Sequence, residues 1–506
     1  MERAVTNWIE PTRENPQNTR GARRLGAWCV LNFARVLLPA ALIAATALPA
    51  QAQRWALPIS VQSKVDSVFA FVDRDAPGCA LGVIQDGMLA YGRGYGLANL
   101  DWGIPITTSS AFDIGSVSKQ FTAAAVALLD VEGALSIDDD VRTWVPELPE
   151  YNRPITIRHL LNHTSGVRDY LTLMRLQGFE YDNVFDEFDG VELIARQQGL
   201  NFEPGSEFLY SNSGYLLLAN IVRRVTGQSL RAFLEERFFD PLGMAHTSIW
   251  DENTEIVTER ATGYSPTAGG WGIDHAWNFQ MGGDGQVITS VDDMVRWDAM
   301  FYDPIVGGQD LLARLHTQGL LNNGDTIDYA MGLVVDEYRG LPRVQHGGAW
   351  AGFRAYLVRF VDHHTSVALL CNRGDVNTSS LTAQVVDAVL ADQLDAESEA
   401  AETTEAAGEE TGRDEPAFTP TTAQLTGLVG GYRSEELDVS WQIFSEDGEM
   451  ILMRPGNEPA ELRPSAQDEF TAGRLGVTLE RDGGRVTGFR VFAGRVTDIL
   501  FEKAGE

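Results

Sequence analysis

Lysine is almost missing from this chain: of 39 basic side chains in 506 residues, only those at 64, 119 and 503 are lysines, and the formal net charge is −32. The arginines are scattered, and no dense basic run after residue 52 offers a surface for a phosphate backbone, which excludes nucleic acid as a partner. Cysteine is scarce too, at 29, 79 and 371 only, in spacings that suit no metal. One long apolar run occurs, Val36 to Leu48; it is shorter than the ~20 residues of a membrane span, and no second run follows. The His-Glu-x-x-His pattern of zinc peptidases and the Gly-x-Ser-x-Gly elbow of α/β-hydrolases are both absent. So is any internal repeat of fixed period. At 44% hydrophobic and 22% charged the composition is otherwise that of a globular protein, long enough for two or three domains.

What is present falls into segments. Arg20, Arg23, Arg24 and Arg35 precede the apolar run and Ala50-Gln51-Ala52 follows it, the order of a secretory signal peptide over 1–52 that is cut after Ala52. Export to the periplasm or the exterior is the expected localisation. Glu2, Glu10 and Glu14 are unusual so far upstream and point to a true start later than Met1, while Arg23-Arg24 has little of the context of a twin-arginine signal. From Cys79 to Gly94 two strands meet at Asp86-Gly87, a dipeptide suited to a tight hairpin. An Ala-rich helix runs from Phe121 towards a stop at Gly133, and helical patterns such as 156–161, 215–225 and 230–238 dominate to about Met300. Strands return at 354–361 and 366–372. A sheet built from the two ends of 53–390, with helices inserted between, is the simplest layout, an α/β (α+β) class. Between 391 and 416 lie ten acidic residues and one Arg with few large apolar side chains, so 391–420 reads as a flexible acidic linker. The remainder, 421–506, shows short strands broken at Asp447-Gly448 and Asp482-Gly483-Gly484, a small all-β meander or barrel. Cys79 and Cys371 each sit in a strand-like apolar run, where one disulfide and two separate buried thiols are both open readings.

Three short patterns carry chemistry. In Ser116-Val-Ser-Lys119, just before the Ala-rich helix, the three-residue offset places the Lys119 amine on the same face as the Ser116 hydroxyl, at a helix start whose free N–H groups favour an oxyanion. A serine is a weak nucleophile until a base takes its proton; arginine cannot be that base, whereas a buried lysine can. In a chain that otherwise prefers Arg, a Lys here is informative, although Lys64 and Lys503 have no such reason. In Tyr210-Ser-Asn212, a phenol can relay a proton and an amide can hold a carbonyl or fix the lysine. His346-Gly-Gly-Ala349, read as a Gly-Gly turn leading through Gly352-Phe353 into a strand, lets substrate approach closely and presents backbone N–H groups. Read singly, each has an ordinary structural explanation as a helix cap or a turn. His159 and His163 have the i, i+4 spacing of a metal pair but lack a third ligand, Asp292 and Asp293 serve a helix start, and His363-His364 falls in a polar turn.

Together, Ser116-x-x-Lys119, Tyr210-x-Asn212 and His346-x-Gly348 resemble the three motifs of the serine β-lactamase-like family, which includes class C β-lactamases, D,D-peptidases, D-aminopeptidases and esterases. The surrounding text agrees: Phe112-Asp-Ile-Gly-Ser-Val-Ser-Lys119, Ile157-Arg-His-Leu-Leu-Asn-His-Thr-Ser-Gly166, Pro204-Gly-Ser-Glu-Phe-Leu-Tyr-Ser-Asn212 and Gly282-Gly-Asp-Gly-Gln-Val-Ile-Thr-Ser290. The resemblance spans roughly 61–373. It implies an antiparallel sheet flanked by helices with a mostly helical subdomain; the C-terminal part is similar to the lipocalin-like β domain appended to such hydrolases. It further implies that Ser116 is the nucleophile, Lys119 its general base, Tyr210 the proton relay and Asn212 a substrate-positioning amide, with the N–H groups of Ser116 and Ala349 receiving the oxyanion. It needs no cofactor and no metal, and it would bring Cys79 beside Cys371 as a disulfide. His346 departs from the lysine that β-lactamases carry there; a neutral imidazole weakens the hold on a β-lactam carboxylate. The expected function is therefore a serine hydrolase acting on a small ester, amide or D-amino-acid peptide. The alternatives are a class C-like β-lactamase and a penicillin- or wall-peptide-binding module without turnover. Oligomeric state is not encoded legibly.

Overall fold

The structure, a computed structural model, describes residues 56–179, 183–276, 278–395, 421, 424–425 and 427–505. The expected signal peptide and most of the acidic linker lie outside the described residues. Among those described, no helix is long and apolar enough to cross a membrane.

A six-stranded antiparallel sheet organises the body of the molecule. Its spatial order is Val334–Tyr338, Leu341–Trp350, Phe353–Phe360, Thr365–Cys371, Cys79–Gln85, Met88–Tyr95. The first strand in the chain thus pairs with the last of this group, in the register that sets Cys79 opposite Cys371, and a disulfide joins them. Of the two readings the cysteines left open, this is the one the fold adopts. The hairpin at Asp86-Gly87 forms as the dipeptide demands, both residues having positive φ.

Burial on both faces makes the central strands Cys79–Gln85, Phe353–Phe360 and Thr365–Cys371 largely apolar runs. Cys79, Leu81 and Val83 point to an outer layer closed by the helices Ile59–Val68 and Thr378–Val389. Ala80 points the other way, into the main core that also holds Phe121, Val126 and Leu128 of the helix Lys119–Val131. That helix is buried along nearly its whole length, which its run of alanines permits by letting neighbours approach closely. Asn212–Thr226 packs beside it and ends at Gly227, whose φ of 76° supplies the left-handed C-terminal cap.

The Gly347-Gly348 pair does not form a turn. It lies inside the strand Leu341–Trp350, next to the sheet edge, with Gly348 opposite Ala355, and the turn follows at Ala351-Gly352. The glycines are required by a close approach: a Cβ on Gly348 would sit 2.0 Å from the Ile114 carbonyl oxygen and 3.1 Å from the Ser116 nitrogen.

The C-terminal nine strands, from Gly430–Ser434 to Val496–Lys503, form one antiparallel sheet that curls into a nearly closed barrel. Its interior is aromatic, with Trp441 tilted against Phe501 (centroids 4.1 Å apart) and Phe489 beside Tyr432. Those side chains are continuous with the main core, and the Trp441 indole donates to the Leu176 carbonyl across the boundary, at 3.3 Å.

Candidate active site

Ser116 sits in a tight 3₁₀ turn, Gly115–Ser118, that runs directly into the helix Lys119–Val131. The turn is held by Asp113, whose carboxylate accepts the Gly115 N–H at 2.8 Å and whose pKa burial pushes up to about 7. Gly115 has a φ of +49°, and a Cβ there would meet the Ala349 nitrogen at 2.7 Å. The strand bearing Gly348 and Ala349 is thereby pressed against the turn bearing Ser116.

Lys119 is fully buried, an arrangement that requires its charge to be matched by acceptors. Its Nζ donates to Ser116 Oγ at 3.1 Å, to Asn212 Oδ1 at 2.9 Å and to the Asp284 carbonyl at 2.6 Å. The Tyr210 ring centroid is 4.9 Å away. The Asn212 amide cannot flip, because Asp169 Oδ2 accepts both its backbone N–H and its Nδ2, leaving Oδ1 for the lysine. Asp169 caps the helix Tyr170–Gln177 with its other oxygen. Next to it, the Tyr170 hydroxyl donates to the Asp284 carboxylate at 3.0 Å, whose pKa burial raises. Asp169 thus fixes Asn212, one of the three partners of the lysine, and Tyr170 anchors the side chain of Asp284, whose carbonyl is another.

His163 occupies a left-handed position, φ 57°, immediately after the helix Ile157–Leu161. Its Nδ1 accepts the Ser211 N–H at 3.1 Å, and its ring lies 4.1 Å from that of Tyr210. Burial, reinforced by the charge of Lys119, keeps this imidazole well below its usual pKa. On the sheet side, His346 Nδ1 faces the Gly347 carbonyl at 2.6 Å; a carbonyl only accepts, so the proton is on Nδ1 and Nε2 accepts from the Tyr329 hydroxyl at 3.0 Å. Burial and the nearby Lys119 bring the His346 pKa down to about 4. Position 346 therefore carries no charge near neutral pH.

All seven residues picked out in the sequence, Ser116, Lys119, Tyr210, Asn212, His346, Gly348 and Ala349, converge here. Sequence reading passed over Asp169, Tyr170 and Asp284, and it left His163 as a structural residue with metal-like spacing. Asp284 and His163 lay inside quoted stretches, 282–290 and 157–166, and that was the only available signal.

The arrangement comprises a hydroxyl beside a buried amine, a fixed amide, a phenol and a strand–turn junction. The Beta-lactamase family model matches this chain over residues 53–391. The chain belongs to that family. It is 29% identical over 423 residues to a penicillin-binding protein of Bacillus subtilis (strain 168), an alignment covering 78% of this chain and 88% of that one. It is 28% identical over 398 residues to a D-aminopeptidase of Gluconobacter oxydans (strain 621H), covering 75% and 74%. Among solved structures, the octameric penicillin-binding protein homologue from Pyrococcus abyssi superposes with a TM-score of 0.57 at 22% identity, over 87% of this chain and 98% of that one. At that identity the likeness speaks for the fold. As a member of this family the chain is a β-lactamase-related serine hydrolase.

Proposed function

We propose that this hydrolase cleaves small amides or esters of the D-amino-acid class through an acyl-enzyme on Ser116. The observation that carries the reading is the buried Lys119 amine, 3.1 Å from the Ser116 hydroxyl and held by two further acceptors. In its deprotonated form the Lys119 amine turns from donor to acceptor towards Ser116 and takes the hydroxyl proton as Oγ bonds to the substrate carbonyl carbon, and the backbone N–H groups of Ser116 and Ala349 receive the oxyanion. Collapse expels the leaving group, which takes the proton from Lys119 by way of the Tyr210 hydroxyl; water then repeats the sequence in reverse to free Ser116. Asn212 holds the amine and offers its amide to the substrate.

The neutral His346 argues against efficient β-lactam turnover, and the D-aminopeptidase relative supports an amide substrate. The Cys79–Cys371 disulfide supports export into an oxidising compartment, in line with the secretory leader read over 1–52. A fluorophosphonate, followed by mass mapping of the adduct, tests the nucleophile. A panel of D- and L-aminoacyl amides, nitrophenyl esters and a chromogenic cephalosporin tests the class. Labelling at Ser116 with preference for D-amides is expected; no adduct at Ser116 with any acylating probe favours a binding module without turnover.

A further inference from the structure

A charge from the barrel enters the site just described. The strands Arg485–Ala493 and Val496–Lys503 are joined by a two-residue hairpin, Gly494-Arg495, and the Arg495 guanidinium lies over the Tyr210 ring, 4.7 Å from its centroid. The backbone of this hairpin is tied down independently of that side chain. The Arg495 carbonyl accepts the Asn201 Nδ2 at 2.9 Å and the Asp169 N–H at 3.4 Å, and the next residues follow suit, with Thr497 N–H donating to Asn201 Oδ1 at 2.9 Å and the Asp498 carbonyl accepting from Arg168 at 3.0 Å. The guanidinium itself is exposed and, among the described residues, makes no ion pair and donates no hydrogen bond. Three carboxylates of this junction have other partners: Asp169 holds Asn212 and Thr172, Asp498 pairs with Arg490, and Glu436 pairs with Arg168. A cation resting on an aromatic face with its in-plane donors unspent is built for an anion, and Arg recognises a carboxylate with two parallel hydrogen bonds.

We infer that Arg495 binds a carboxylate on the leaving-group side of the substrate, supplying from the barrel the fixed positive charge that position 346 lacks. The inference rests on the proposed role of Tyr210 as the group that protonates the leaving nitrogen. An amino acid leaving group places its carboxylate one residue beyond that nitrogen, about 3.5 Å of chain, a span comparable with the 4.7 Å between the Arg495 guanidinium and the Tyr210 ring centroid. The substrate class narrows accordingly to an acylated D-amino acid whose leaving residue ends in a free carboxylate.

The test separates binding from chemistry. In a Ser116→Ala background of the full chain, calorimetry compares N-acetyl-D-alanyl-D-alanine with its C-terminal carboxamide. The carboxylate is expected to bind at least about tenfold more tightly, as a charge-assisted hydrogen bond allows. Adding Arg495→Gln is expected to bring that ratio close to one, and Arg495→Lys to restore part of it. Equal binding of the two ligands, no binding of the carboxylate, or a ratio that survives Arg495→Gln overturns the inference. An equal loss for both ligands also overturns it, showing instead that Arg495 merely props Tyr210. Failure of the nucleophile reading is seen separately, as absence of a fluorophosphonate adduct on Ser116 in the unsubstituted protein.

Discussion

The body and the barrel bury different kinds of side chain. The body sequesters charge: Lys119, Asp169, Asp284, Arg168 and the Arg359–Asp298 pair are all almost fully buried, each matched by partners. In the barrel the buried residues are almost wholly apolar, Trp441, Phe489 and Phe501 among them, with Ser434 as the exception. Buried charge is tolerated only where a network satisfies it, and such a network fixes geometry in a way an apolar core does not. The candidate site thus lies in the body, and among the described residues the barrel meets it at its rim, where Glu436, Arg495 and Asp498 contact Arg168, Asp169 and Asn201. The largest effects should come from the body's network and the smaller ones from its junction with the barrel.

The sharpest break is at the nucleophile. Ser116→Ala is expected to lower kcat by about 10⁴-fold or more. Lys119→Arg, which keeps the charge but forbids deprotonation, should cost about 10³-fold. Both are read as the rate of p-nitroanilide release and of fluorophosphonate labelling; a Lys119→Arg enzyme of near-normal rate removes lysine from the base role.

Next comes the sheet closure. Replacing Cys79 and Cys371 together by Ala should cost about 4 kcal/mol in urea unfolding, concentrated in the body. The unfolded, unreduced protein lacking its leader should show no titratable thiol, and two free thiols would contradict the disulfide.

At the junction, Arg168 is 2% exposed and its carboxylate partner Glu436 is 13% exposed, at 2.8 Å. Glu436→Gln leaves a buried guanidinium without its counter-charge and should cost about 2 kcal/mol. The loss should appear as early proteolysis between body and barrel, with the barrel's own strand pairing preserved. If the barrel core itself loosens first, the rim is not a separable joint.

What could be read in the sequence follows the same division. Ser116 and Lys119 are one helical turn apart, and Tyr210 and Asn212 two residues apart, so their geometry is local and the pattern survives without knowing the fold. The short apolar runs of the sheet strands and the Asp86-Gly87 turn were legible for the same reason. Asp169 orients Asn212 across 43 residues, Asp284 meets Lys119 across 165, and Arg168 finds Asp498 across 330. No local pattern announces such pairs, because the folded chain alone makes them neighbours. The Gly347-Gly348 stretch misled for a related reason: two glycines in sequence look like a turn, whereas here their missing side chains make room for Ile114 and Ser116.

The finest contrast is pH. The barrel region 421–505 contains no histidine, whereas the body holds His275, His316 and His346, each lowered by burial to about 4, and His163, lowered in the same direction. Below about 6.5 the unfolded chain protonates these rings, while in the folded body His275, His316 and His346 stay neutral until near 4 and His163 is shifted in the same direction, so the stability the first three contribute is complete above about pH 6.5 and is lost as pH falls towards 4. Asp113, Asp251 and Asp284 are shifted upward by loss of solvent and act with the opposite sign, so the total slope mixes the two. One ring is isolated by difference. His316, stacked on Phe301 away from the catalytic lysine, can be replaced by Leu, which never titrates. The stability of His316→Leu relative to the parent should then rise as pH is lowered from 6.5 to 4, by no more than about 1.4 kcal/mol per pH unit. Urea unfolding at four pH values measures it. A difference that stays flat, or falls with acidity, would mean that the body tolerates a charged imidazole at 316, and the contrast between a charge-matching body and a barrel with an apolar interior would fail at that site.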